Sequence, residues 1–210
     1  MADKVVALFV EGPTEIEFYK AVVIKARELM DAPYECKIEY VDMKGIGNFK
    51  TNAIRQFNYL KRKHSNKDIY VFLCIDQDAF EFSRKPPFNR TKLSQRLKTD
   101  GAKRVTYVVA KQSIEDWFLC DLEGVLNYLH LPATTKRPKG NGQDALKLLF
   151  KKANKIYVKG SKTEGFIDKL HIMKILKMYC SSIKPLCQTL SLNCEAICEN
   201  NNRVSAKSPK

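Results

Sequence analysis

Two segments of the chain are apolar on both faces, which is the pattern of central strands in a parallel sheet covered by helices on each side. They are residues 4–10 (KVVALFV) and 69–75 (IYVFLCI). Further strands are predicted from Cys36 to about Met43 and over residues 104–110 (RVTYVVA). The chain therefore has about four candidate strands.

Between and after these strands, apolar residues recur at the spacing of helices that pack on one face. Gly12 and Pro13 end the first strand and open a helix, because proline suits the first helical turn. Strands that alternate with helices predict an α/β fold with a mostly parallel, Rossmann-like sheet and right-handed crossovers. The predicted helices cover Thr14 to about Met30, 50–63, 91–99, and Ser113 to about Leu129.

A break rich in proline, glycine and lysine at residues 132–143 ends this alternation. Helical patterns follow near residues 143–157 and 166–192, and the chain is polar from about Asn200. We predict an α/β domain over 1–131, a basic linker with a helical extension over 132–199, and a disordered tail over 200–210.

Carboxylates follow both of the most apolar strands. Glu11 comes directly after the first, and Asp76 and Asp78 follow the strand at 69–75. Ligands of open α/β sheets bind beyond the carboxyl ends of the strands, so these acids are expected at one edge. Carboxylates gathered there repel one another unless a cation is present, and hard oxygen ligands select Mg²⁺ or Mn²⁺. Glu15 falls one helical turn after Glu11, near the same edge.

Each of these acids also has a purely structural interpretation. A single carboxylate after a strand is commonly a helix cap or a turn residue, and Asp78 by itself fits that role. Several carboxylates that reach one edge independently are harder to explain in this way. The grouping, more than any one residue, predicts a metal site.

Composition limits the class of protein. With 44% apolar and 29% charged residues, the chain of 210 residues has the make-up of a soluble globular protein. The apolar runs are too short to span a bilayer and no signal-peptide pattern is present, so a cytoplasmic location without a membrane partner is expected. Seven cysteines without a Cys-x-x-Cys pair predict reduced thiols, in preference to a disulfide framework or a zinc site.

The formal charge of +14 favours an anionic partner, nucleic acid above all. The segment 136–162 concentrates that charge, since Asp144 is its only acid. The alternative is a solvated helix face with a flexible linker. The residues expected to contact a phosphate backbone are Lys136, Arg137, Lys139, Lys151, Lys152, Lys155 and Lys159.

Two motifs together resemble a known family. The run Val10-Glu11-Gly12-Pro13-Thr14-Glu15, followed by an apolar strand that ends in Asp76-Gln77-Asp78, resembles the TOPRIM domain. TOPRIM is the metal-binding fold of type IA and type II topoisomerases, bacterial primases, ribosomal-RNA maturation nucleases and OLD-family nucleases. The form of the first motif is most similar to the OLD branch and to small stand-alone TOPRIM proteins encoded beside an ATPase. The similarity covers about residues 4–129.

The resemblance assigns roles to individual residues. The segment 113–119 is similar to the E-x-W-x-L segment of the stand-alone proteins and points to Glu115 as a further acid, with Asp116 as the alternative. Lys111, at the end of the preceding strand, is the cation expected to stabilise charge on a phosphate. Glu115 also has the alternative of a cap or salt-bridge residue. The residues that match the metal-binding motifs are Glu11, Glu15, Asp76 and Asp78.

The resemblance implies a nuclease that uses Mg²⁺ or Mn²⁺ to hydrolyse phosphodiester bonds, with DNA favoured over RNA. Two metals would clamp the attacking and leaving oxygens. A role in phage defence with a P-loop ATPase partner is implied by the resemblance alone, and a homo-oligomer is left open. The alternative is a non-catalytic TOPRIM subunit that binds nucleic acid or the ATPase. A mononucleotide-binding α/β domain is disfavoured, because the glycine-rich fingerprint after the first strand is missing.

Overall fold

The computed structural model describes residues 4–28, 36–81, 84–159, 161 and 163–191. Its sheet has four strands, all parallel, in the order β2-β1-β3-β4. The α/β fold and the four strands predicted from the sequence are confirmed. The strands are β1 (Lys4–Val10), β2 (Lys37–Asp42), β3 (Asp68–Asp76) and β4 (Arg104–Ala110).

Helices connect the strands and form the C-terminal region. Short 3-10 turns lie at Ile46–Asn48 and Ile167–Lys169. The helices are α1 (Pro13–Glu28), α2 (Phe49–Lys63), α3 (Asp78–Glu81), α4 (Arg90–Thr99), α5 (Ile114–Leu119), α6 (Leu122–Leu129), α7 (Gly142–Lys152), α8 (Ile172–Met178) and α9 (Cys180–Thr189).

The two faces of the sheet contribute to separate cores, because alternate residues of a strand point to opposite faces. Leu8 of β1 belongs to a core that also contains residues of α1 and α5 to α9, whereas Phe9 belongs to a core that contains residues of α2 and α4. The first core includes Leu146, Phe150 and Ile175, which lie after residue 131. The C-terminal helices are therefore packed on the same sheet that carries the candidate acids.

The prediction of a single helix over residues 113–129 is wrong, because the segment forms two helices that are separated at Cys120 and Asp121. The Asp121 side chain accepts the backbone N–H of His171 at 2.7 Å and bonds the Lys174 ammonium at 3.1 Å. These contacts come from residues far along the chain. A local periodicity cannot indicate them.

The helix predicted over residues 143–157 is also wrong at its end, because α7 stops at Lys152. Asn154 adopts a left-handed φ of 56°, which ends the helix. An extended segment follows, in which Tyr157 is buried and Ile156 is 87% exposed. We call residues 153–159 and Ser161 the strap.

Two further expectations concern the membrane and the thiols. None of the described helices combines the length and the apolar character needed to cross a membrane. Cys36, Cys74, Cys120 and Cys187 are thiols, but Cys180 is disulfide-bonded, so the expectation of reduced thiols is wrong at that position. The predicted tail over 200–210 lies outside the described residues.

Candidate metal centre

Glu11 and Asp76 meet at the carboxyl edge of the sheet, because β1 and β3 are adjacent parallel strands. Glu11 Oε1 accepts the backbone N–H of Asp76 at 3.3 Å. Both carboxylates are buried, and Asp76 is only 3% exposed. The two strand ends therefore bring their acids together as the sequence pattern predicts.

Glu15 joins them from the first turn of α1. Because the helix begins at Pro13, the Glu15 side chain turns back toward the end of β1, and its Oε2 accepts the Glu11 N–H at 2.9 Å. Glu15 is also buried. The turn that follows β1 thus places two glutamates beside Asp76.

Asp76 connects this pair to α5. Its Oδ1 accepts the N–H of Ile114, the first residue of α5, at 2.9 Å. Its Oδ2 lies 2.6 Å from the Lys159 ammonium. Since Asp76 holds the start of α5, it also fixes the neighbouring residue, Glu115.

Glu115 is 0% exposed. Its Oε1 accepts the Tyr157 hydroxyl at 3.0 Å, and its Oε2 has no hydrogen-bond partner among the described residues. An unsatisfied buried carboxylate oxygen is costly, and such a group in a folded protein calls for an explanation. Because other carboxylates lie nearby, the explanation that best fits Glu115 Oε2 is that it can bind a cation.

Asp78 occupies the first turn of α3 and is half-buried. Its backbone N–H donates to the Gln112 carbonyl at 3.1 Å, which ties the turn after β3 to the turn after β4. Its charge is close enough to Glu11 to help raise the pKa of that glutamate. We call Glu11, Glu15, Asp76, Asp78 and Glu115 the acidic cluster.

Burial is the main cause of unusual pKa values in the cluster. It raises the pKa of Glu11, and it raises the pKa values of Glu15 and Asp76 well above their ordinary range. The neighbouring carboxylates raise all three pKa values further. Ionising the whole cluster is therefore unfavourable without more positive charge.

Within the part of the chain that the structure describes, Lys159 is the cation that contacts the acidic cluster, and its side chain is only 25% exposed. Burial lowers its pKa, but Asp76, Glu115 and Glu11 outweigh that effect and raise the pKa above its ordinary value. The sequence placed Lys159 in the phosphate-contacting segment and predicted Lys111 for this position. Lys111 is exposed and makes no ion pair with any described carboxylate.

Oxygen donors of this kind suit Mg²⁺ or Mn²⁺. Within the described parts of the chain, however, no three acids, histidines or cysteines are already arranged as ligands of one ion. Each Asp76 oxygen already accepts one hydrogen bond, from the Ile114 N–H and from the Lys159 ammonium. The donor set fits a divalent cation in its chemistry, and the side chains must rotate to form a ligand shell.

Asp116, the alternative to Glu115, lies in a different environment. It accepts the Arg137 guanidinium at 2.7 Å, the Gly142 N–H at 3.2 Å and the Ser113 hydroxyl at 3.1 Å. A Cβ at position 142 would lie 2.5 Å from the Asp116 backbone nitrogen, so only glycine fits there. We call Ser113, Asp116, Arg137 and Gly142 the Asp116 junction.

The other predicted phosphate-contacting residues lie at the surface. Lys155 places its ammonium 4.5 Å from the centre of the Tyr128 ring, and Arg137 is held in the Asp116 junction. These two are therefore engaged within the protein. The remaining members have exposed side chains and are Lys136, Lys139, Lys151 and Lys152.

Sequence reasoning missed the role of the strap. Tyr157 bonds Glu115, Lys159 bonds Asp76, and the Ser161 carbonyl accepts the hydroxyl of Thr14 at the start of α1. The alternation of outward Ile156 and Val158 with these inward residues is a strand-like signal. The helical pattern of the preceding residues extends the predicted helix to residue 157 and conceals this signal.

Comparison with protein-family models, with curated proteins and with solved structures finds no match to this chain. The likeness to a family thus depends on the residues of the two motifs alone.

Proposed function

We propose that this protein is a divalent-metal-dependent nuclease of the TOPRIM type that hydrolyses phosphodiester bonds in nucleic acid. The observation that carries the proposal is the Glu115 Oε2 atom, fully buried and without a hydrogen-bond partner among the described residues. It belongs to a cluster of five carboxylates, and Lys159 is the one described residue that forms an ion pair with any of them. A site with this excess of buried negative charge suits a cation as its ligand.

Glu11, Asp76 and Asp78 are the residues proposed to hold Mg²⁺ or Mn²⁺. When bound, such an ion supplies a Lewis acid for the phosphoryl oxygen and lowers the pKa of a bound water. The Glu15 carboxylate accepts a hydrogen bond from the Glu11 backbone N–H and so helps to fix the position of Glu11. Glu11 and Asp76 are fixed through their backbones at the ends of β1 and β3, and their side chains would rotate to bind the ion.

Glu115 is proposed as the residue that accepts a proton from the attacking water. Tyr157 fixes one of its oxygens and leaves the other without a protein partner among the described residues. The Lys159 ammonium is proposed to stabilise negative charge on the phosphate, the role that the sequence assigned to Lys111. We assign this role to Lys159 because it contacts Asp76, whereas Lys111 is exposed.

The formal charge of +14 supports nucleic acid as the substrate. Preference for DNA, a P-loop ATPase partner, phage defence and a cytoplasmic location are proposals that depend on the family resemblance.

A non-catalytic TOPRIM subunit is the second candidate function. The observation that favours it is the engagement of both Asp76 oxygens by Ile114 and Lys159. In such a protein Lys159 would replace the cation permanently. The same contacts would then serve only to hold the strap on the sheet.

Incubation with plasmid DNA, single-stranded DNA and RNA in Mn²⁺, Mg²⁺ or chelator tests the proposal. We expect metal-dependent cleavage that Glu11→Ala and Asp76→Ala abolish. Asp68→Ala is the matched control, because Asp68 begins the same strand at the opposite edge and is half exposed. Cleavage that persists in both site variants would refute the assignment, and no cleavage of any substrate would favour the non-catalytic subunit.

A further inference from the structure

A cavity of about 720 Å³ opens beside the acidic cluster. Glu11 and Lys159 form part of its wall, whereas Glu15, Asp76 and Glu115 do not. Those three are buried behind them. A ligand that reaches the acidic cluster through this cavity therefore meets Glu11 and Lys159 first.

The turn after β2 also lines the cavity, through Lys44, Gly45 and Ile46. The Gly45 N–H donates to the Glu11 carbonyl at 2.8 Å, so the turn is tied to the residue that carries the site. Gly45 has a φ of 95°, and an added Cβ would meet nothing within 4 Å. The glycine thus leaves its backbone open for close approach by a ligand.

The cavity combines three kinds of surface. Ile46 and Pro13 supply apolar contact, Lys44 and Lys159 supply cations, and Asp42 supplies a carboxylate. Lys44 is held by Asp42 at 2.7 Å and keeps a side-chain exposure of 73%. Apolar contact in the same cavity as two cations suits a nucleoside that carries phosphate.

Size supports the same ligand. Sites for small organic ligands enclose about 300–1,000 Å³, and this cavity lies within that range. A base that enters this cavity is separated from its partner strand, so the cavity suits an unpaired strand.

We infer that this cavity binds one nucleotide of an unpaired polynucleotide strand, next to the phosphate that faces Glu11 and Lys159. This inference depends on the proposed function, because it places the substrate against the same acidic cluster. It adds a substrate class, an unpaired strand, and two residues of the binding site, Lys44 and Ile46. Neither residue belongs to the motifs that indicated the metal.

Fluorescence anisotropy tests the inference with labelled dT8, rU8 and an eight-pair G·C duplex whose strands are joined by a non-nucleotide linker, and with dTMP as competitor. Ca²⁺ replaces Mn²⁺ in these titrations, because it takes the same oxygen ligands. The variants are Lys44→Ala and Ile46→Trp, which remove a cation and fill the cavity. Lys98→Ala is the matched control, since this exposed lysine lies in the last turn of α4 and does not line the cavity.

We expect Lys44→Ala to weaken dT8 binding about fivefold to tenfold, the loss of one charge-assisted contact, while Lys98→Ala changes it less than twofold. Ile46→Trp should weaken binding as well, with Mn²⁺ affinity unchanged. Unpaired strands should bind more tightly than the duplex or dTMP, and dT8 against rU8 distinguishes DNA from RNA.

Equal binding of dT8 by wild type and both cavity variants would overturn the inference, as would a preference for duplex or for free dTMP. If those results occur while Mn²⁺ still binds the acidic cluster, the proposed function survives without this inference. If wild type binds no Mn²⁺, the proposed function fails and the inference fails with it.

Discussion

Glu115 and Asp116 are adjacent in sequence and both are buried, but they belong to regions with different polar contacts. Asp116 is satisfied by three donors of the Asp116 junction. Glu115 faces the acidic cluster, and one of its oxygens has no partner among the described residues. Successive helical residues point in different directions, so neighbours can serve unrelated purposes. The comparison indicates that hydrogen-bond satisfaction, more than burial, separates a structural acid from a candidate site acid.

The largest expected effect is on cleavage. Glu115→Gln keeps the shape of the side chain and its acceptor for Tyr157 but removes the charge. We expect cleavage to fall about a hundredfold or more, the usual cost of losing a general base. The measurement is single-turnover cleavage of single-stranded DNA in Mn²⁺.

Asp116→Asn is the matched control for that experiment. It should retain the wild-type rate per folded molecule, because Asp116 does not reach the acidic cluster. A greater loss from Asp116→Asn than from Glu115→Gln would reverse our assignment of the two acids.

The next effect is on folding. Asp116→Ala leaves Arg137 and the Gly142 N–H without their acceptor, so the free energy of unfolding should fall by about 2 kcal/mol. The expected loss is small because the Arg137 side chain is 41% exposed, so solvent screens its ion pair with Asp116. Urea denaturation measures it, and Glu115→Gln should lose less than about half as much. Equal losses would remove the distinction between the two regions.

The parallel sheet and the proximity of Glu11 to Asp76 could both be predicted from the sequence. Apolar strands and parallel topology determine those features, and both are visible in local patterns. The sequence did not decide which of Glu115 and Asp116 belongs to the acidic cluster. That difference depends on Tyr157 and Arg137, which contact α5 from later segments of the chain.

The lysine at the acidic cluster was missed for a similar reason. Lys159 lies 83 positions from Asp76, and its basic neighbours made it look like part of a surface segment. No periodicity reports a contact at that separation. Lys111 was favoured because it is next to the motif in sequence.

A smaller effect is expected on metal affinity. Lys159→Met removes the ammonium that occupies Asp76 Oδ2, so Mn²⁺ should bind roughly fivefold to tenfold more tightly. Lys111→Met is the matched control and should change the affinity less than twofold. Titration calorimetry measures both. Equal changes in the two variants would show that Lys159 does not compete with the ion.

The smallest effect concerns pH. Folding raises the pKa values of Glu11, Glu15 and Asp76. The folded protein therefore retains protons that the unfolded chain loses once the pH exceeds the ordinary pKa, which is 4.5 for the two glutamates. Stability from these groups therefore falls as the pH rises above that value. The Lys159 contribution stays constant there, because its pKa is raised above 10.5.

Bound Mn²⁺ should offset this loss. The difference in Tm with and without Mn²⁺ should grow by about 2–4 °C between pH 5.5 and 8, which corresponds to roughly 1 kcal/mol. Glu15→Gln should reduce the pH dependence measured without metal. A difference that shrinks with rising pH would contradict the proposed coupling between the carboxylates and the ion.

Binding of Mn²⁺ by isothermal titration calorimetry, without any nucleic acid, tests the central claim most directly. We predict saturable binding by wild type, its loss in Asp76→Asn, and binding at wild-type affinity in Asp68→Asn at the other end of the same strand. Absence of binding by wild type, or equal binding by Asp76→Asn, would contradict the assignment of the acidic cluster as a metal centre.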